Sequence, residues 1–347
     1  MTTPARVLVA RLDSDGDVLL SGPAVRAAAA GWHGRPSEVT LLCGPAGAQA
    51  ASLLPGVSRT LRWNCPWIAA DPEPVRPARV RGLIDTISRA RFDLALILTS
   101  AHQSCLPLAL LLRVADVPRI VGISHDYPGS LLDVRLRPDI DFVDDLPEPE
   151  RALTVARAGG CFLPAGDDGA LEVLPPPDVA ELTGPRPYLV LHPGATVPAR
   201  SWPVERCREA VAALADQGHR VLVTGGPGER ELTATVAGRA GVDLGGRTSY
   251  PQLAGVLAGA DAVIAGNTGP AHLAAAVGTP VVSLFAPVVP AERWAPYRVS
   301  HVLLGDQDAP CKGTRARVCP VPGHPCLSSV TAADVTRAVD ALVGVVV

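Results

Sequence analysis

Three carboxylates, Asp13, Asp15 and Asp17, fall within five residues in the stretch RLDSDGDVLLSGPA, Arg11–Ala24. Acids at that density serve a metal ion or a substrate. A calcium loop of the EF-hand kind needs glycine at its sixth position and glutamate at its twelfth. Counted from Asp13, Gly16 comes fourth and Ala24 twelfth, so that reading fails. What remains is a strand-to-helix turn: Gly16 bends the chain, and Asp17 sits at the helix entrance as a candidate general base. A carboxylate with a pKa near 4 is a weak base in water, and partial burial raises it.

Three further loops carry groups suited to phosphate and sugar. HPGATVPARSWP, His192–Pro203, follows an apolar run. Gly194 allows close backbone approach, Thr196 offers a hydroxyl, and Arg200 offers a fixed cationic fork for phosphate. VTGGPGERE, Val223–Glu231, is Gly-rich but lacks the spacing of the dinucleotide fingerprint. Glu229 there either accepts from a ribose diol or complements a helix dipole. In AGNTGPAHLAAAVGTP, Ala265–Pro280, the residues Asn267, Thr268 and Gly269 precede a helix with Pro270 in its first turn. Free amides, the Thr268 hydroxyl and the helix dipole suit a diphosphate. His272, one turn further on, reads as a buried core histidine. Cys311, Cys319, Cys326 and His324 match zinc ligands by type but lack a tight CxxC pair. They read as a free-thiol loop, and Cys43, Cys65, Cys105, Cys161 and Cys207 as buried thiols. No metal site is expected.

The elements that must position these loops follow from apolar patterning. Short apolar runs such as ARVLVARL (Ala5–Leu12), FDLALILTS (Phe92–Ser100) and YLVLHPG (Tyr188–Gly194) alternate with helical segments. These include Asp17–Trp32, the amphipathic Val80–Ala90, Val204–Gly218 and Thr331–Gly344, the last with Thr331 and Asp334 as its start signal. Alternation of this kind specifies parallel sheets covered on both faces. The proline-rich LEVLPPPDVAELTGPRPY breaks it. The expected organisation is a first domain over 1–172, a linker over 173–187, a second domain over 188–328 and a C-terminal helix within 329–347. The chain has 347 residues, 48% of them hydrophobic and 19% charged, enough for two cores. Net charge of −3 and 4% aromatics give no case for nucleic acid. No run approaches a membrane span, and the N-terminus does not read as a signal peptide. A cytoplasmic, monomeric protein is expected.

Together DGDVLLSGPA, HPGAT…ARSWP, VTGGPGERE and GRTSYPQLAGVLAGADAVIAGNTGPAHLAAAVGTPVVSLFAP resemble glycosyltransferase family 9, the ADP-heptose:lipopolysaccharide heptosyltransferases and their relatives. The resemblance implies the GT-B fold: two Rossmann-like, doubly wound α/β domains facing a cleft. The first would bind the acceptor and the second the nucleotide sugar, and the C-terminal helix would return to brace the first. It implies inverting, metal-independent transfer with no cofactor. It also implies Asp17 as general base, Arg200 at the donor phosphates, Thr268 and Gly269 at the diphosphate, Glu229 at the ribose and Thr248 near the base. Asp-Ser-Asp and Asp-Gly-Asp also fit the DxD metal motif of the GT-A architecture, but the diphosphate loops make that metal unnecessary. Asn267 stands where some relatives carry an aspartate facing the sugar, and Phe285–Pro287 departs from the usual pattern. Asp13 and Asp15 are additional acids, which read as acceptor-binding residues for a cationic group such as an amino sugar. The donor implied is an ADP-sugar; the acceptor is a glycan, or a small molecule such as an aminoglycoside or another secondary metabolite. A non-catalytic binder of sugar nucleotides and a GT-B-like epimerase are the alternatives.

Overall fold

The computed structural model describes residues 3–69, 71–100 and 102–344. The chain forms two compact units that divide between Leu174 and Pro175. The first runs β1 (Ala5–Arg11), α1 (Asp15–Leu20), α2 (Gly22–Ala29), β2 (Ser37–Cys43), α3 (Ala48–Ala51), β3 (Val57–Arg62), α4 (Pro77–Ala90), β4 (Leu94–Ile97), α5 (Leu106–Val114), β5 (Ile120–Ile123), β6 (Val134–Leu136) and α6 (Glu148–Gly159). The second runs α7 (Ala180–Thr183), β7 (Leu189–His192), α8 (Val204–Asp216), β8 (Val221–Val223), α9 (Arg230–Ala237), β9 (Val242–Asp243), α10 (Tyr250–Ala258), β10 (Ala262–Gly266), α11 (Gly269–Ala276), β11 (Val281–Leu284), α12 (Ala291–Trp294), β12 (His301–Leu304), α13 (Pro325–Ser328) and α14 (Ala332–Val343).

Each unit holds one six-stranded sheet. The orders are β3-β2-β1-β4-β5-β6 and β12-β11-β10-β7-β8-β9. Every strand pairing within them is parallel. Counted within its own unit, each sheet has the doubly wound order 3-2-1-4-5-6. The central strands β4, β5, β7, β10 and β11 are buried along their whole length, because helices cover both faces of a parallel sheet. The edge strands β3, β6, β9 and β12 are half-exposed.

The stretch expected as one helix from Asp17 is two. Pro23 lacks the N–H that would bond the Leu19 carbonyl, so α1 stops and α2 starts with that proline in its first turn. The first of them begins at Asp15, with Ser14 before it. Gly16 is therefore a helical residue and not the bend. In α4 the residues Leu83 and Ile87 are buried while Val80 and Ile84 are half-buried, which is the stripe of an amphipathic helix. Helix α14 starts with the Thr331–Asp334 reciprocal cap. Its Val335, Ala338 and Val339 join Val211 and Leu214 of α8 in the second unit's core, and Trp202 Nε1 donates to the Val330 carbonyl at 3.3 Å. Among the described residues, no helix is long and apolar enough to cross a membrane.

Candidate active site

In doubly wound sheets, ligands bind outside the carboxyl ends of the strands where the strand order reverses. In the first unit that point lies between β1 and β4; in the second, between β7 and β10.

Arg11 closes β1 with only 2% of its surface exposed. A buried guanidinium stays charged and must be paired. Its Nη2 donates to Asp17 Oδ1 at 2.9 Å and to Ser100 Oγ at 2.8 Å. Its Nη1 donates to Glu148 Oε2 at 3.2 Å. Its Nε lies 2.8 Å from Asp13 Oδ2, an ion pair without the alignment of a hydrogen bond. Glu148 opens α6, and its other oxygen lies 3.5 Å from Arg151 Nε. Arg151 also pairs with Asp144.

Three carboxylates thus surround one guanidinium, and only one of them reaches outward. The Asp17 side chain is 22% exposed, that of Asp13 10% and that of Glu148 1%. Asp17 Oδ2 also accepts from Ser14 Oγ at 2.8 Å. Asp13 accepts from Gln103 Nε2, and Gln103 Oε1 in turn accepts from the Ser100 amide at 3.1 Å. Burial pushes the Asp13 carboxyl up to about 6, against the lowering effect of Arg11. Burial also raises Glu148. For Arg11 burial works against the charge, but Asp13, Asp17 and Glu148 outweigh it and hold the guanidinium above its ordinary value. Asp15 stands apart from this cluster. It accepts from the Ala50 amide at 2.9 Å, and burial raises its carboxyl. Neither Asp13 nor Asp15 is a solvated charge.

Arg11, Ser100, Gln103 and Glu148 were not singled out from the sequence. An arginine closing the apolar run ARVLVAR is itself a signal, because a charge at the end of a buried strand needs partners. Glu148 lies 137 residues away from Arg11 and carries no local signal.

In the second unit β7 ends at His192. Its Nδ1 lies 3.1 Å from Thr224 Oγ1 and its Nε2 3.9 Å from Glu229 Oε2. Burial lowers the pKa of His192, partly offset by the charge of Glu229, so the imidazole is neutral near pH 7. Glu229 Oε2 accepts from the Gly226 amide at 2.7 Å, which caps the short turn Pro227–Glu229 that leads into α9. A Cβ on Gly194 would stand 1.9 Å from Glu229 Oε1. The glycine therefore makes room for this carboxylate and not directly for a ligand.

Arg200 ends the turn Pro198–Arg200. Its carbonyl lies where a Cβ on Gly266 would come within 2.9 Å, so the turn rests on the end of β10, beside Asn267. Asn267 is 3% exposed, and its Nδ2 has no hydrogen-bond partner among the described residues. Thr268 caps α11 in an extended conformation, and Gly269 begins that helix. Thr196 is exposed, and Thr248 is half-buried in the loop between β9 and α10. The structure thus groups Arg200, Glu229, Asn267, Thr268 and Gly269 around the ends of β7, β8 and β10, with Thr196 in the same loop as Arg200. Thr248 lies two residues beyond Gly246, which packs on Pro227. His272 is 4% exposed.

The cysteine loop does not gather into a ligand set. Cys311 and Cys326 sulfurs are 3.8 Å apart, Cys319 Sγ points to the Val321 carbonyl, and His324 Nε2 lies 3.0 Å from the Ala199 carbonyl. Among the described residues, no group of three His, Cys, Asp or Glu side chains is placed to hold a metal.

The sequence model of glycosyltransferase family 9 (heptosyltransferase) matches residues 80–324, more than half of the chain. The chain belongs to glycosyltransferase family 9. It is 39% identical over 137 residues to lipopolysaccharide heptosyltransferase 1 of Pseudomonas aeruginosa, a match covering 38% of each protein. It is 30% identical over 164 residues to lipopolysaccharide heptosyltransferase 3 of Escherichia coli, covering 45% of this chain and 46% of that one. The chain thus spans less than half the length of these relatives. Among solved structures, the ADP-heptose lipopolysaccharide heptosyltransferase II of E. coli has a TM-score of 0.72 at 21% identity, covering 97% of this chain and 98% of that one. A family 9 glycosyltransferase of Veillonella parvula has a TM-score of 0.74 at 18% identity, covering 98% and 97%. The two parallel Rossmann-like sheets are those of the GT-B fold. The family 9 match contains Thr196, Arg200, Glu229, Thr248, Asn267, Thr268 and Gly269; Asp17 lies outside it.

Proposed function

We propose that this chain is an inverting, metal-independent glycosyltransferase that moves a heptose or related sugar from an ADP-sugar to an acceptor hydroxyl. The observation that carries the reading is Asp17. It is the most exposed of three carboxylates at the first unit's switch point, held by Arg11 on one oxygen and Ser14 on the other. Family membership supports heptose transfer, and the donor is supported by the names of two structural neighbours, an ADP-heptose lipopolysaccharide heptosyltransferase and a heptosyltransferase with ADP-2-deoxy-2-fluoro heptose.

In this reaction the acceptor hydroxyl gives its proton to Asp17 as its oxygen bonds to the anomeric carbon. The bond from that carbon to the diphosphate breaks on the opposite face, which inverts the centre. Arg200, the Thr196 hydroxyl and the α11 amides at Thr268 and Gly269 take up the charge on the departing ADP. Glu229 faces the ribose, Thr248 the base, and the unsatisfied Asn267 amide donates to the sugar. The acceptor is a glycan or an amine-bearing small molecule. Asp13 and Asp15 reach it only by giving up the partners they hold in this structure, Arg11 and Gln103 for the one and Ala50 for the other.

The test is ADP release and product formation with ADP-heptose as donor. A general base contributes roughly 10²–10⁴-fold, so Asp17→Asn should lose at least a hundredfold in turnover and bind ADP as the parent does by calorimetry. Turnover within tenfold of the parent would remove Asp17 from the role.

A further inference from the structure

The Arg11 cluster poses a problem that the proposed function leaves open. A guanidinium hydrogen-bonded to a carboxylate favours its ionised form and lowers its proton affinity, typically by about 1–3 pH units. Contact with Arg11 alone would make Asp17 a poorer base. Yet Arg11 is not Asp17's alone: Asp13 and Glu148 hold the same cation from its other edges. Three carboxylates on one guanidinium leave an excess of negative charge, and that excess faces Asp17.

We propose that Arg11, Asp13 and Glu148 form a buried charge frame that fixes the orientation of Asp17 and keeps its proton affinity high, acting as positioning residues for the base. The inference rests on the reading of Asp17 as the base. Its geometric content is that Arg11 is immobilised. Nη2 is shared by Asp17 and Ser100, Nη1 is held by Glu148, and Nε lies beside Asp13. A planar fork engaged on three edges cannot turn or lose its proton. Asp17 is therefore aimed by Arg11 on Oδ1 and Ser14 on Oδ2, and the two rear carboxylates offset the field of the cation that aims it.

The other charged groups around α1 are committed elsewhere or lie behind the frame. Asp15 on the same helix bonds Ala50. Arg26 of α2 is paired with Asp167 at 2.7 Å. Arg151 of α6 stands behind Glu148 and pairs with Asp144. Glu150 and Arg157 of the same helix lie 3.7 Å apart. His102 is exposed on the loop that carries Ser100 and Gln103, and the thiols of Cys65 and Cys43, which sense Asp13 and Asp15, are raised by burial to about 11. Burial is the main cause that raises the carboxyls of Asp13 and Glu148; Arg11 lowers each, and the charge of Asp17 raises each by a smaller amount, so both rear carboxylates sense Asp17 across the guanidinium.

The experiment is a carboxyl titration by carbon-13 NMR on the full chain labelled with [4-13C]aspartate, the Asp17 and Asp13 signals being assigned by their loss in Asp17→Asn and Asp13→Asn. Glu148→Gln and Asp13→Asn should each lower the apparent pKa of Asp17 by about one unit, and Arg11→Gln should raise it by a similar amount. Glu148→Asp, which keeps the charge, should restore most of the parental value. Side chains that only stiffened the fold would not shift one carboxyl in opposite directions according to the charge removed. An Asp17 titration unchanged in both Glu148→Gln and Asp13→Asn, with the parental circular dichroism, overturns the proposal. Should Arg11→Gln or Glu148→Gln fail to fold, the shift in Asp13→Asn decides alone. Separately, an Asp17→Asn enzyme that still transfers sugar from ADP-heptose would sink the base assignment while leaving the titration shifts in place, so the two failures are distinguishable.

Discussion

At the scale of single residues, the acids of RLDSDGDVLLSGPA part company. Asp17 faces outward from the first turn of α1, Asp13 is drawn in beside Arg11 and Gln103, and Asp15 turns to Ala50. Sequence spacing singled out the stretch and Asp17 within it. It could not separate Asp13 from Asp15, because what separates them is a guanidinium and a backbone amide supplied by other elements. The burial of Asp13 has a measurable cost. Its carboxyl is raised to about 6 by burial, from an ordinary value of 3.8. Between those values the folded chain binds more protons than the unfolded chain, so stability falls as pH rises through that window and stays lower above it. Asp13→Asn removes the titration. The melting temperature of this variant relative to the parent should therefore climb as pH increases from about 4 to about 6 and then level off. Calorimetric melts at pH 4, 5, 6 and 8 measure this. A difference that stays flat or shrinks with rising pH would show that Asp13 is not held ionised against burial.

At the scale of elements, physical cause separates what the sequence showed from what it hid. The central strands β4, β7, β10 and β11 were visible because a strand covered on both faces must be apolar throughout, and β1 through its run Val7–Ala10. The edge strands β3, β6, β9 and β12 are short or half-exposed, and their polar residues masked them. Helix α6, which supplies Glu148, begins in a Pro- and acid-rich stretch that reads as loop. Where local chemistry alone decides, the sequence was sufficient. Thr331 and Asp334 cap α14 reciprocally, with Thr331 Oγ1 accepting from the Asp334 amide at 3.2 Å and Asp334 Oδ2 accepting from the Thr331 amide at 2.8 Å. Loss of such a cap costs about 1 kcal/mol. As α14 packs on α8, Thr331→Ala should lower the melting temperature of the second unit by roughly 2–4 °C, measured by scanning calorimetry. No change would mean that the helix start contributes nothing beyond what packing already secures.

At the scale of the whole molecule, one doubly wound plan is used twice, and the two switch points hold different chemistry. The first gathers three carboxylates around a cation; the second gathers an arginine turn, a neutral histidine, Glu229 and the start of α11. The units have separate sheets, and each has its own core cluster. Every proposed donor residue, from Thr196 to Gly269, lies in the second, whereas the proposed base lies in the first. Donor binding and transfer should therefore be separable by cutting the chain between Leu174 and Pro175. The fragment from Pro175 to Val347 should fold alone, since its sheet is complete and α14 seals its core against α8. Calorimetry should then find ADP bound within about tenfold of the intact chain's affinity, a difference of about 1.4 kcal/mol. With ADP-heptose the same fragment should release no ADP above the buffer rate, because Asp17, the proposed base, is not part of it. A folded fragment that fails to bind ADP would place the nucleotide elsewhere than the β7–β10 switch point. One that releases ADP from the sugar would mean that cleavage does not need Asp17.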